Sequence, residues 1–181
     1  MVLEPEENMV NAGILFMFSA WLQSQMVDLI IAANHPELIE DFVASPERVP
    51  QPFSKLRASY WEKDFGHVKS EFLTVFSSSL TSEEAEDIEH IYYLRNMIAH
   101  AHVSIGRKYM LYRPSGDRKE QAIIEALKPK PVEGRSNPLM FKLEFWRNEK
   151  FVPLSDLMER TDQQCFSRLA RQVGIPHGRI R

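Results

Sequence analysis

Residues 9–33 are predominantly apolar, with no Pro and a single Gly, Gly13, near the start. Leu15, Phe18, Leu22, Leu29 and Ala33 recur at helical spacing, and Ile14, Met17 and Trp21 form a second stripe beside them. A helix apolar over so much of its circumference must be covered on more than one side, by neighbouring helices alone or by those plus a second protomer. The pattern predicts its end at Asn34-His35-Pro36, because the residue before a proline disfavours helical backbone. A short helix over residues 36–43 follows, opened by a proline at a position that tolerates it. Residues 44–52, with three prolines, read as a loop. Residues 53–79 read as helical, with a break expected near Gly66.

The best-defined helix start lies at Thr81-Ser82-Glu83-Glu84. Thr81 and Glu84 have capping-box spacing, and Glu83, Glu84, Glu86 and Asp87 suit the positive end of the helix dipole. Ala85, Ile88, Ile91, Tyr92, Leu94, Ile98 and Ala99 continue the helix, and the expected stop falls within residues 101–106. The period then changes. Residues 108–112 suit a strand, and Pro114-Ser115-Gly116-Asp117 is a turn signal. Residues 121–127 fit strand or helix, and Pro129, Pro131, Gly134 and Pro138 mark a loop. Phe141-Lys142-Leu143-Glu144-Phe145 alternates as a strand with one wet face. A last helix is expected over residues 155–173, with Leu157, Met158, Cys165, Phe166, Leu169 and Val173 as its apolar set, stopped by Gly174-Ile175-Pro176. Arg179 and Arg181 end a basic tail. No internal repeat or low-complexity tract is evident.

Length and composition set bounds on this picture. The 181 residues, 44% hydrophobic and 26% charged, suit one domain with its own core. Cys165 is the only cysteine, which excludes an internal disulfide and a Cys-based zinc site and makes a reducing cytoplasm the default compartment. The apolar run is preceded by Glu4, Glu6 and Glu7, the wrong sign for a secretory leader. Gln23, Gln25 and Asp28 interrupt it, so a buried helix is expected and no membrane partner. The net charge of -3 hides an asymmetry: residues 1–90 hold 5 Lys or Arg against 16 Asp or Glu, and residues 91–181 hold 17 against 9. Such polarity can steer an anionic partner to one side, or draw the two halves together in the fold or across a dimer.

The candidate chemistry sits at the end of the capped helix, in Arg95-Asn96-Met97-Ile98-Ala99-His100. An arginine on an apolar helix face is unfavourable unless it is paired or used, and Arg95 falls between Ile88, Ile91 and Ile98. His102 lies two turns further along the same face. His100 is five residues from Arg95, roughly 140° around an ideal helix. Asn96 is one turn before His100, where it can orient the imidazole. For Arg95 and His100 to act on one substrate, the helix must loosen near Ala99 or a second protomer must complete the site.

Arg95, four intervening residues and His100, with Asn96 directly after the arginine, resemble the R-x4-6-H motif of the HEPN superfamily. The resemblance is specific over about a dozen residues. It implies a mainly α, HEPN-like up-and-down helical bundle, with a small β-hairpin or strand insertion before the C-terminal helix. The corresponding single domain has a helical core over 9–102, a strand-containing insertion over 103–150, and a C-terminal helix with basic tail over 151–181. The resemblance further implies a cytoplasmic homodimer acting as a metal-independent, cofactor-free endoribonuclease, of the kind found as toxins or defence effectors held by an antitoxin protein. The alternative it carries is a non-catalytic protein that binds RNA or nucleotides or acts as a scaffold. Family members paired with a nucleotidyltransferase antitoxin often carry Tyr two residues after the motif histidine. His102 stands there, which argues against neutralisation by AMP transfer.

In the catalytic reading His100 exchanges a proton at the ribose 2′-OH or the leaving 5′-oxygen, since imidazole titrates near neutrality. Arg95 braces the phosphate, and Asn96 orients the imidazole or binds a phosphate oxygen. His102 and Tyr93 are accessory candidates, although a structural role suits His102 better, and core burial is the better expectation for Tyr92, Tyr93 and Trp61. Arg107, Lys108 and Arg113 are candidates for RNA phosphates, or a solvated strand face. His100-Ala101-His102 diverge on a helix and lack a Cys or Asp beside them, so no metal site is expected.

Overall fold

In the computed structural model, which describes residues 4–44, 49–103, 106–136 and 139–178, helices predominate and one small three-stranded antiparallel sheet accompanies them. The first helix, α1 (Glu4–Asn34), carries Glu4, Glu6 and Glu7 in its first turn, where the helix dipole favours negative charge. It stops at the His35-Pro36 junction, as the proline requires. By length and composition α1 could cross a membrane. Leu15, Leu22, Met26, Leu29, Ile30 and Ile31 are nevertheless buried within the protein. The second stripe behaves differently: Ile14 and Met17 are 45% and 67% exposed.

The chain divides into two compact units, Met1–Ser19 with Glu89–Leu157, and Ala20–Ile88 with Met158–Arg181. In the second, a 3₁₀ turn (Pro36–Leu38) leads into α2 (Ile39–Ala44), followed by α3 (Gln51–Ser59) and α4 (Phe65–Val75). The break between α3 and α4 lies at residues 60–64, not at Gly66. Asp64 caps α4 by accepting the His67 N–H at 2.7 Å, which places Gly66 inside the first turn. Phe53, Phe65, Phe72 and Phe166 are buried, and the Phe72 and Phe166 rings meet at 5.3 Å. Trp61, expected in the core, is 81% exposed because it falls in the break after α3.

α5 (Ser82–Ala99) opens on a reciprocal capping box: the Thr81 N–H donates to Glu84 Oε2 at 2.9 Å, and the Glu84 N–H donates to Thr81 Oγ1 at 3.2 Å. Arg168 donates to both Glu84 carboxylate oxygens, at 2.8 and 2.7 Å. The expected last helix begins earlier, as α7 (Asn148–Arg160) with Pro153 inside it. It widens to a π-helical stretch over Thr161–Phe166 and continues as α8 (Ser167–Val173). The π geometry turns Thr161 and Asp162 inward together with Cys165 and Phe166. Trp21 Nε1 donates to Asp162 Oδ1 at 3.4 Å, and His177 Nε2 lies 3.2 Å from the same oxygen. Gly174, at φ 84°, ends α8 in the left-handed conformation that glycine alone adopts without strain.

In the other unit, β1 (Met110–Tyr112) pairs with β3 (Leu139–Leu143), which pairs with β2 (Pro131–Ser136), giving the order β1-β3-β2. The predicted alternation holds: Phe141, Leu143 and Phe145 are buried while Lys142 is exposed. Residues 131–136, expected as loop, form a strand instead. Pro131 and Gly134 are tolerated because β2 is an edge strand, and its register with β3 is irregular. The ambiguous stretch 121–127 is helical, within α6 (Asp117–Leu127), which starts directly after the expected turn. Asn8 is buried and accepts the Trp146 N–H at 3.2 Å, and Asn11 donates to the Phe145 carbonyl at 2.8 Å, tying α1 to the turn after β3. Pro138, Arg179 and Arg181 lie outside the described residues.

Candidate functional site

The capping box at Thr81 starts α5, and 3.6-residue periodicity then decides which way its last turns face. Ile88, Ile91, Leu94 and Met97 are buried, whereas Arg95 and Asn96 are half-buried and His100 is exposed. Arg95 Nη1 donates to Asn96 Oδ1 at 3.1 Å, and the guanidinium lies 5.4 Å from the centroid of the Phe16 ring on α1. The arginine is therefore held by a hydrogen bond and a cation–π contact, and among the described residues it forms no ion pair with a carboxylate. A guanidinium so held stays available to an incoming anion through its remaining donors.

His100 sits in the turn after Ala99. Its backbone N–H still reaches the Asn96 carbonyl at 3.1 Å, while the Ala101 N–H turns to the Ile98 carbonyl at 3.3 Å, so the helix tightens as it ends. The helix does not unwind before His100. Asn96 was expected to steer the imidazole, but its side-chain oxygen is given to Arg95; among the described residues no hydrogen bond joins the Asn96 and His100 side chains. Arg95 and Asn96 are thus brought together, and His100 stands apart from them.

His102 does not continue along the Arg95 face. It has left the helix and forms an isolated antiparallel bridge with Leu111, with N–H to carbonyl distances of 2.6 and 3.0 Å. Its side chain is exposed. Tyr93 is half-buried against Tyr92, their ring centroids 5.3 Å apart, and burial raises its phenol above the ordinary range. Lys108 is already engaged, 3.1 Å from Glu4 Oε2 and 4.8 Å from the centroid of the Trp146 ring. Arg107 lies 5.9 Å over the Tyr109 ring, and Arg113 is exposed just past β1. Among the described residues, no cluster of three or more His, Cys, Asp and Glu could hold a metal ion.

No family model, curated protein or solved structure matches this chain. The site rests on its residues. Phe16 is the member that sequence reasoning missed. It is separated from Arg95 by 79 positions, and an aromatic residue in a long apolar run carries no sign that it will meet a cation.

Proposed function

We propose that this chain is a HEPN-type ribonuclease that cleaves RNA without a metal, with Arg95 bracing the phosphate, His100 moving the proton, and Asn96 holding Arg95 in place. The observation that carries the reading is the Arg95 guanidinium: it is fixed by Asn96 and Phe16, is paired with no carboxylate among the described residues, and lies within one helical turn and a half of an exposed imidazole. A cation held in this way suits a phosphate whose negative charge grows in the transition state. The 2′-OH supplies the nucleophile, so the step needs only acid–base chemistry, which typically contributes roughly 10²–10⁴-fold.

Because one helix presents Arg95 and His100 in different directions, the reading calls for a second copy to complete the cleft. Support comes from α1, where Met9, Val10, Ile14 and Met17, all within seven residues of Phe16, are 50%, 58%, 45% and 67% exposed. Covering that stripe with the same stripe of a second protomer would set two Arg95–Phe16 pairs near one another. An antitoxin protein would then act by masking this cleft.

The test is cleavage of labelled single-stranded RNA and tRNA in EDTA, with Arg95→Ala and His100→Ala beside wild type and the size of each in solution measured. Cleavage lost in both folded variants, with size unchanged, is the expected result. RNA that is bound and left intact by wild type would move the chain to the non-catalytic reading.

A further inference from the structure

The turn that carries His100 is tied on both sides. Before it, the His100 N–H completes α5 by donating to the Asn96 carbonyl at 3.1 Å. Two residues on, His102 exchanges both backbone bonds with Leu111, at 2.6 and 3.0 Å, in the bridge beside β1. Gly106, at φ 81°, lies in the chain reversal between them, where glycine meets a positive φ without strain. Leu111 is the middle residue of β1, and its own N–H and carbonyl are both given to His102. Alternate residues of an antiparallel strand bond to opposite sides, which leaves Met110 and Tyr112 for β3.

β3 is in turn held to α1. Asn11 donates to the Phe145 carbonyl at 2.8 Å, and the buried Asn8 accepts the Trp146 N–H at 3.2 Å. Lys108, shortly before β1, pairs with Glu4 on the same helix at 3.1 Å. Residue 100 is thus referred to α1 through β3, β1 and the His102 bridge. Arg95 is referred to the same helix through Phe16, at 5.4 Å. All of these contacts lie within the unit formed by Met1–Ser19 and Glu89–Leu157. A helix end without such a tie frays, because its last carbonyls lack intrahelical partners. An imidazole on a frayed turn samples many positions, and a displacement of about 1 Å from the reacting geometry can cost about 10²-fold in rate.

We infer that the backbone of Leu111 is a positioning element for His100: the sheet, through the His102 bridge, holds the turn that presents the imidazole. His102 serves here through its main chain, and its exposed ring takes no part. The inference rests on the ribonuclease reading for what His100 does, and on backbone geometry alone for how residue 100 is held.

Leu111→Pro tests it. The proline ring takes the place of the hydrogen aimed at the His102 carbonyl and forces the pair apart, while no bond to β3 is removed. Leu111→Val keeps the N–H and is the conservative control. Backbone amide relaxation by NMR reads the tether directly. The His100 order parameter is about 0.85 in wild type and Leu111→Val and falls toward about 0.6 in Leu111→Pro, with Leu94 and Arg95 unchanged. Cleavage of single-stranded RNA in EDTA reads the consequence. In Leu111→Pro kcat falls by roughly 10–10²-fold while KM stays within about twofold of wild type, because Arg95 keeps its anchors. His102→Pro breaks the same bridge from the other side, at an exposed residue, and gives the same pair of results should Leu111→Pro fail to fold. A His100 order parameter unchanged in the folded proline variants overturns the inference, as does a loss carried by KM or shared by Leu111→Val. Wild type that cuts no RNA overturns the catalytic reading instead, and the relaxation data then still decide whether the bridge holds residue 100.

Discussion

Replacing Arg95 and His100 by alanine should have very different consequences for stability, and the difference decides how their loss of activity is read. Arg95→Ala removes a cation–π contact with Phe16 at 5.4 Å, about 0.5–1 kcal/mol for a partly exposed pair. It also removes the hydrogen bond to Asn96 at 3.1 Å, a net contribution of about 0.5–1.5 kcal/mol, reduced here because both groups reach water. Together these give about 1–2 kcal/mol, or roughly 2–8 °C in Tm for a chain of this size. His100 is exposed, and its side chain makes no hydrogen bond among the described residues. Its replacement should shift Tm by less than about 1–2 °C. Arg95→Lys keeps the charge but loses the planar fork, so it should fall between wild type and alanine. Differential scanning calorimetry of the four proteins at one pH measures all three shifts. An Arg95→Ala protein as stable as wild type would refute the anchoring by Phe16 and Asn96, and a large loss in His100→Ala would assign that imidazole a packing role.

Glu84 predicts a pH dependence. Burial works to raise its carboxyl, but Arg168 and the Thr81 cap outweigh it and hold the group below its ordinary value of 4.5. A depressed folded pKa adds stability above the unfolded value that is lost as pH falls through the folded one, so acidification below 4.5 should weaken wild type more steeply than Glu84→Gln, which keeps a cap acceptor. Urea unfolding of both proteins across that range would show parallel curves if the reasoning is wrong. Burial pushes the Cys165 thiol up to about 12, so alkylation at mildly alkaline pH should be negligible until denaturant is added. Rapid labelling of the folded protein would contradict that burial. Asp162→Ala removes the long hydrogen bond from Trp21 Nε1 at 3.4 Å and the carboxylate beside His177 Nε2, which makes no hydrogen bond to it, and should lower unfolding free energy by about 1 kcal/mol. Chemical denaturation giving a loss near zero would mean that water satisfies these groups.

Features carried by short-range rules were legible in the sequence. The capping box at Thr81 and Glu84, the stop of α1 before Pro36, the glycine end of α8 and the alternation through β3 each follow from a few neighbouring residues. So did the placing of Arg95 and Asn96 on α5, although that helix stops at Ala99 and not within residues 101–106 as expected. Other features needed partners distant in the chain. Residues 131–136 became a strand despite Pro131 and Gly134 because β3 had an open edge to pair with. Pro153 sits inside α7, against a local penalty of about 3 kcal/mol, in a helix that buries Leu157 and Met158. The contact of Phe16 with Arg95 likewise appears only once α1 and α5 are assembled. Local backbone rules decide where helices start and stop, because their energies depend on adjacent residues. Which side chains meet depends on burial and pairing across the chain, and those energies exist only in the folded protein.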